Sequence, residues 1–230
     1  MRLDKYLSRQ GYGNSKIVKS AIKLGKIKVN GNIIYSPSFC VENNDLVEVT
    51  SLKKYKDLIY VMLNKPSGYL SSTKDENLPV VVDLITDYSD MNLFPIGRLD
   101  LDTTGLLILS NDAKIYKKLT LPSFLIPKKY YAEFGGDISK IDISSFQNGV
   151  VLNNGYKTLP AKIEILSSQS LYITIYEGKY HEIKKMFESL GLKITKLKRV
   201  SIGEISLDTK LKEGEYRLLN DDELKWLKSL

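Results

Sequence analysis

The stretch FPIGRLDLDTTGLLILSND, residues 94–112, sets two carboxylates, Asp100 and Asp102, just before a glycine and a very apolar run. Such a run, bounded by turn residues, reads as a buried strand, with the acidic pair on the turn that enters it. Asp-Leu-Asp-Thr-Thr-Gly also looks like the opening of a calcium loop, with oxygens at the first, third and fifth positions and Gly at the sixth. The twelfth position of such a loop needs a bidentate Glu. Here it is Asn111, and the seventh to ninth residues are apolar, which argues against calcium.

Working outward, KKYYAEF (128–134) reads as a strand. AKIEIL (161–166) and LYITIYEG (171–178) alternate apolar and polar residues as half-buried strands do. KITKLKRV (193–200) and IGEISL (202–207) are further strands, and IYVMLNKP (59–66) is an apolar strand ended by Pro66. SGYLSSTKDEN is a loop, and VVVDLI (80–85) is open between strand and helix. YHEIKKMFESLG (180–191) predicts a helix, with Ile183, Met186, Phe187 and Leu190 on one face and Gly191 as its stop. NDDELKWLKSL (220–230) predicts a last helix, with Asn220 as N-cap and Glu223 closing a capping box. Strands dominate and helices are few, so the expected class is α+β, built on a mixed, mainly antiparallel sheet rather than a doubly wound parallel one.

The composition is that of a folded protein: 43% apolar, 10% aromatic and 27% charged over 230 residues. No apolar run is long enough to span a membrane, and the charged N-terminus lacks the apolar core of a signal peptide. A single cysteine, Cys40, precludes an intrachain disulfide and fits a reducing, cytoplasmic setting. With one histidine and one cysteine, a typical zinc site is not expected.

The net charge of +7 is concentrated at one end. Residues 1–58 hold eleven basic and five acidic side chains, a balance of +6, which leaves +1 for the rest. That asymmetry points to a polyanion partner bound by a separate module. Leu3, Tyr6 and Leu7 share one helix face, Gly11 and Gly13 break the helix, and Asn14 or Ser15 can cap the next. Ile17, Val18, Ala21, Ile22 and Leu24 make the second helix amphipathic, with Lys16, Lys19 and Lys23 along one exposed edge. Gly25 ends it, and IKVNGNII reads as a hairpin around Asn30-Gly31. Lysines along one edge suit a phosphate backbone.

The segment RLDKYLSRQGYGNSKIVKSAIKLGKIKVNGNII resembles the S4 RNA-binding module over roughly residues 1–48. The resemblance implies RNA binding, with Arg2, Lys16, Lys19 and Lys23 as candidate contacts. Lys16 stands where that family usually has arginine, keeping the charge but losing the bidentate fork. The expected organisation is an RNA-binding domain over 1–50, a polar, basic linker over 51–58 and a catalytic domain over 59–230.

Two families compete for the acidic turn. Asp-Leu-Asp-Thr-Thr resembles the signature of haloacid dehalogenase-like phosphatases, but there an apolar strand precedes the motif, whereas here Gly97-Arg98 precedes and the apolar run follows. Gly-Arg-Leu-Asp followed by Thr-Gly-Leu-Leu resembles the signature of pseudouridine synthases of the RsuA type. Two further segments agree with the latter. Lys129-Tyr130 resembles that family's Lys-x-Tyr strand, and EGKYHEIKKMFESLG (177–191) resembles its Glu-Gly-x-Tyr-His-Gln-x-Lys-Arg-Met-Phe segment. The departures are Glu182 where Gln is usual and Ala113 where Gly is usual. The resemblance implies a catalytic carboxylate in Asp100, a stacking ring in Tyr130 and a cationic partner of the carboxylate in Lys184.

Isomerising uridine to pseudouridine breaks the bond from ribose C1′ to N1 and remakes it to C5, so atoms balance and no redox cofactor is expected. The carboxylate can serve as nucleophile or as a base in a glycal-type route, and the residues do not choose between them. Arg98 can fill the space that the extruded base vacates or hold a phosphate. Asp102 is read as a turn residue or supporting acceptor, and His181 as a structural hydrogen-bonding group. The loop Gly68-Tyr69-Leu70-Ser71-Ser72-Thr73 looks closer to enzymes acting on small-subunit (16S) ribosomal RNA than to their 23S relatives. The expected partner is ribosomal RNA, 16S or a small-subunit assembly intermediate, met by a monomer. The alternatives are a 23S enzyme of the same family and a non-catalytic S4 protein of the ribosome.

Overall fold

A computed structural model describes residues 1–13, 15–42, 44–50 and 58–230. The chain divides into two compact units, Met1–Ile59 with Asp90–Asn92, and Tyr60–Ser89 with Leu93–Leu230. Residues 51–57 of the expected linker and the candidate cap Asn14 lie outside the described residues.

The first unit contains α1 (Leu3–Arg9), α2 (Ser15–Lys23) and a three-stranded antiparallel sheet of β1 (Ile27–Val29), β2 (Asn32–Ile33) and β3 (Val47–Val49), in the order β2-β1-β3. Its core is Leu3, Leu7, Val18, Ile22, Ile27, Val29 and Val41, drawn in part from the apolar faces expected of the two helices, whereas Leu24 lies past the end of α2 and is exposed. The hairpin register pairs Val29 with Asn32 around Asn30 and Gly31. Both central residues have positive φ, 51° and 80°, as a two-residue turn matching strand twist requires.

The second unit is built on nine strands: β4 (Tyr60–Lys65), β5 (Phe94–Ile96), β6 (Thr104–Ser110), β7 (Lys128–Gly135), β8 (Lys162–Ser167), β9 (Ser170–Ile175), β10 (Lys193–Ile202), β11 (Ile205–Ser206) and β12 (Tyr216–Leu218). The main order is β12-β4-β6-β10-β7-β9-β8, with β5 beside β6 and β11 beside β10. Only the β6–β10 pair is parallel among the described residues, so the sheet is mixed and mainly antiparallel. VVVDLI resolves as a 3₁₀ turn, Val81–Leu84.

β6 is buried along its whole length, because β4, β5 and β10 flank it and apolar side chains cover it. At Gly105 the backbone of β10 comes so close that a Cβ would lie 2.3 Å from the Arg199 carbonyl oxygen, and φ is 98°. The glycine of the Thr-Gly-Leu-Leu run therefore permits the parallel contact that sets β6 against β10.

The helices are α3 (Ala113–Thr120), α4 (Ser144–Asn148), α5 (Glu182–Ser189) and α6 (Asp221–Ser229). The Asn220/Glu223 capping box is present at α6. The helix expected from Tyr180 begins instead at Glu182. The Glu182 carboxylate accepts the Lys179 backbone N–H at 2.8 Å, and His181 turns left-handed at φ 55°. Both hold 179–181 as a tight loop ahead of the helix.

Candidate active site

The acidic turn lies between β5 and β6 and is clamped from beneath. The Lys65 ammonium, fully buried at the end of β4, donates to the carbonyls of Leu101 at 3.1 Å, Thr103 at 3.0 Å and Pro66 at 3.0 Å. Burial pulls its pKa down to about 8, against the attraction of Asp102 and Asp100. The Ser71 hydroxyl donates to the Leu99 carbonyl and accepts from the Leu99 N–H, both at 3.0 Å. The Gly68 N–H reaches the Leu101 carbonyl at 2.8 Å. Five hydrogen-bonding contacts on three consecutive alternate residues leave the turn little freedom, which is what a positioned carboxylate needs.

Above the turn sits the first turn of α5. The Lys184 ammonium lies 3.3 Å from an Asp100 oxygen and 2.5 Å from an Asp102 oxygen. Burial disfavours the Lys184 charge, but the hydrogen bond to Asp102 and the charges of both carboxylates outweigh it and raise its pKa. Asp102 is held below the usual carboxylate range, since Lys184 outweighs its desolvation. The His181 Nε2 is 3.5 Å from the other Asp100 oxygen.

Asp100, His181 and Lys184 face an open cleft whose lining also includes Arg98 and Tyr130. Tyr130, buried in the middle of β7, is opposite Arg199 of β10 and Ile173 of β9. Arg199 is itself buried, donates from Nε to the Leu106 carbonyl at 2.8 Å, and brings Nη1 to 3.5 Å from the Tyr130 hydroxyl. A cation 6.0 Å from the ring centre also favours its π face.

Four of the eight residues singled out from the sequence thus meet in one cleft: Arg98, Asp100, Tyr130 and Lys184. The other four lie in the first unit. Arg2 pairs with Asp4 at 2.9 Å, and exposed Lys19 and Lys23 lie along α2. Lys16 is on the same helix. Sequence reasoning missed Lys65 and Arg199, and it cast His181 as structural although its imidazole faces Asp100. Lys65 carried a signal, a lysine closing an otherwise apolar strand.

A buried carboxylate pair supports the loop before α5. Glu177 accepts from the Tyr156 hydroxyl at 2.7 Å and the Leu159 N–H at 2.8 Å. Burial, with Glu177 alongside, pushes the neighbouring Glu182 carboxyl up to about 7. Nearby Lys128 is drawn down to about 8 by burial, with Arg199 adding to the effect. Among the described residues no group of three His, Cys, Asp or Glu side chains could hold a metal ion.

A partly buried turn carboxylate paired with an ammonium beside a buried tyrosine, on a mixed sheet preceded by a small helical module, fits an RNA-modifying class. Residues 59–189 match the RNA pseudouridylate synthase family and residues 1–47 match the S4 domain. The chain belongs to the RNA pseudouridylate synthase family and is a pseudouridine synthase carrying an S4 RNA-binding domain. It is 42% identical to the RNA pseudouridine synthase YtzG of Bacillus subtilis, covering 99% of this chain and 98% of the relative. It is 35% identical to ribosomal small subunit pseudouridine synthase A of Haemophilus influenzae over 99% of each chain. It is 34% identical to ribosomal large subunit pseudouridine synthase B of Bacillus subtilis, covering 100% of this chain and 96% of the relative. A crystal structure of a pseudouridylate synthase superposes with a TM-score of 0.73 at 32% identity, covering 99% of both chains. No helix among the described residues is long and apolar enough to cross a membrane.

Proposed function

We propose that this chain isomerises a specific uridine of ribosomal RNA to pseudouridine, acting as a cytoplasmic monomer on 16S ribosomal RNA or a small-subunit assembly intermediate. The observation that carries the reading is the Asp100–Lys184 contact of 3.3 Å in a cleft that also contains Tyr130. Asp100 is the catalytic carboxylate, acting as nucleophile or base while the C1′–N1 bond gives way to C1′–C5. Lys184 sets an ammonium beside that carboxylate. Tyr130 stacks on the extruded uracil, at whose expense the RNA loses local stacking. Arg98, exposed at the mouth of the cleft, meets the RNA backbone or the space the base leaves. Residues 1–50 hold RNA through Arg2, Lys16, Lys19 and Lys23, and residues 59–230 carry the chemistry.

The preference for 16S rests on the Gly68–Thr73 loop. Relatives of nearly equal identity are named for the small and the large subunit, so the test includes both RNAs. Purified protein is incubated with 16S and 23S transcripts and with assembly intermediates. Modified sites are mapped by carbodiimide treatment and reverse transcription. A single new stop on 16S, absent with Asp100→Asn, is the expected result. A stop on 23S alone assigns the large-subunit substrate, and no stop on any RNA points to the non-catalytic S4 protein.

A further inference from the structure

Beside the cleft stands an aromatic ring that the mechanism above leaves unused. Tyr180 is 74% exposed and lies face to face with the His181 imidazole, ring centres 3.8 Å apart and planes 20° from parallel. Adjacent side chains on an extended chain point apart. Here His181 adopts φ 55°, a left-handed conformation that side chains rarely take, and the two rings come together. The inner ring is the imidazole 3.5 Å from Asp100; the outer one is open to solvent. Lys185 lies 4.9 Å from the Tyr180 ring centre, whereas the preceding Lys179 sits over the Tyr156 ring. A presented aromatic with a cation beside it suits a nucleobase with its phosphate.

We propose that Tyr180, backed by His181, is a stacking platform for the nucleobase immediately adjacent to the target uridine. When the uridine leaves its stack, each neighbour loses a stacking partner, and the Tyr180 ring replaces it. This subsite rests on the RNA-modifying reading above and refines it, since it contacts a base that does not react.

The test uses synthetic RNAs carrying the uridine that the wild-type protein modifies, intact or abasic at the 5′ or the 3′ neighbour. Single-turnover rates are measured against enzyme concentration for wild type, Tyr180→Ala and Tyr180→Phe. On intact RNA, Tyr180→Ala should raise the half-saturating concentration about 5- to 150-fold, as loss of one stacked base does. The saturated rate should stay within about threefold, the pattern of lost uniform binding, and Tyr180→Phe should behave like wild type. On one of the abasic RNAs the wild type should itself weaken, and Tyr180→Ala should cause no further loss. Wild-type half-saturation in Tyr180→Ala, a loss confined to the saturated rate, or a penalty undiminished on both abasic RNAs would overturn the platform. Wild-type protein that modifies no uridine overturns the parent reading as well, so the two failures are distinct.

Discussion

Lys184 makes its shorter contact with Asp102, 2.5 Å, and its longer one, 3.3 Å, with Asp100. The nearer carboxylate is the more exposed: the Asp102 side chain is 69% accessible and that of Asp100 is 24%. Asp102 holds Lys184 from the exposed side, while Asp100 lines the cleft with Tyr130. Asp100→Asn is therefore expected to lower single-turnover isomerisation by at least about 10²- to 10⁴-fold, the range for a proton-transferring group, with RNA binding near wild type. Asp102→Asn leaves Lys184 its contact with Asp100 and should retain activity within about tenfold. Comparable turnover by Asp100→Asn would remove it from the chemistry.

Lys184→Met removes the cation shared by two carboxylates. Both Lys184 and Asp100 keep about a quarter of their side-chain surface exposed, so the stability loss should fall between surface and buried pairs, roughly 1–2 kcal/mol by urea unfolding. Activity should fall by about 10²-fold, as for loss of one positioned electrostatic partner. Lys184→Arg should restore part of both. Unchanged turnover in Lys184→Met would separate the ion pair from catalysis.

Lys65→Met keeps the volume of the side chain but strips its donor from three carbonyls, of which Leu101 retains the Gly68 N–H. Buried acceptors left unpaired cost about 1–3 kcal/mol each when no water replaces the donor, so a loss of several kcal/mol is expected. If a folded variant is obtained at low temperature, its turnover should fall more than its RNA affinity, because the Asp100 turn loses its clamp. A thermal midpoint equal to wild type would show that the clamp is dispensable.

What the sequence made legible is local. The Asn220/Glu223 capping box and the Asn30-Gly31 hairpin are written within four residues, and both form as read. Alternation in 161–178 marked β8 and β9. Contacts between distant segments left weaker traces. Nothing near Gly105 announces that Arg199 will pair with it in parallel, and an isolated Lys65 after an apolar run reads as a strand end rather than as the support of a turn. The onset of α5 was misplaced because the helical periodicity of 180–191 extends past the point where the Glu182 side chain caps the Lys179 N–H. Asp100, Tyr130 and Lys184 are singled out by three linked motifs; alone, each reads as a turn residue, a core ring or an ion pair.

Glu182→Gln tests the buried carboxylate pair through pH. Glu182 is almost fully buried, and burial with Glu177 beside it pushes its pKa up to about 7 from 4.5. Between those values the folded chain binds more protons than the unfolded chain, so stability falls as pH rises through that window and the loss is complete above about 7. Glutamine cannot ionise. The variant should match wild type near pH 4.5 and exceed it at pH 8 by up to about 3 kcal/mol. Lys128, drawn down to about 8 by burial, acts in the opposite sense but is present in both proteins, so the difference between urea midpoints isolates Glu182. A difference independent of pH would show Glu182 ionised in the folded state throughout.

The division of labour between the two parts of the chain makes the last prediction. Residues 1–58 carry +6 and the remainder +1, and exposed Lys19 and Lys23 follow one another along α2. Lys19 lies 4.0 Å from Asp4, at the limit of an ion pair, and both lysines are accessible to phosphate. Each phosphate contact contributes about −0.7 to −0.9 to the slope of log affinity against log salt. If Lys16, Lys19 and Lys23 each hold one phosphate, changing all three to Ala should flatten the slope by roughly 2–3 and weaken binding at low salt. The saturated single-turnover rate should be nearly unchanged, because Asp100, Tyr130 and Lys184 are untouched. The measurement is half-saturation at several salt concentrations for wild type and the triple variant. Identical slopes would place the phosphate contacts elsewhere on the protein, whereas a lowered rate at saturation would make this helix part of the assembled active complex.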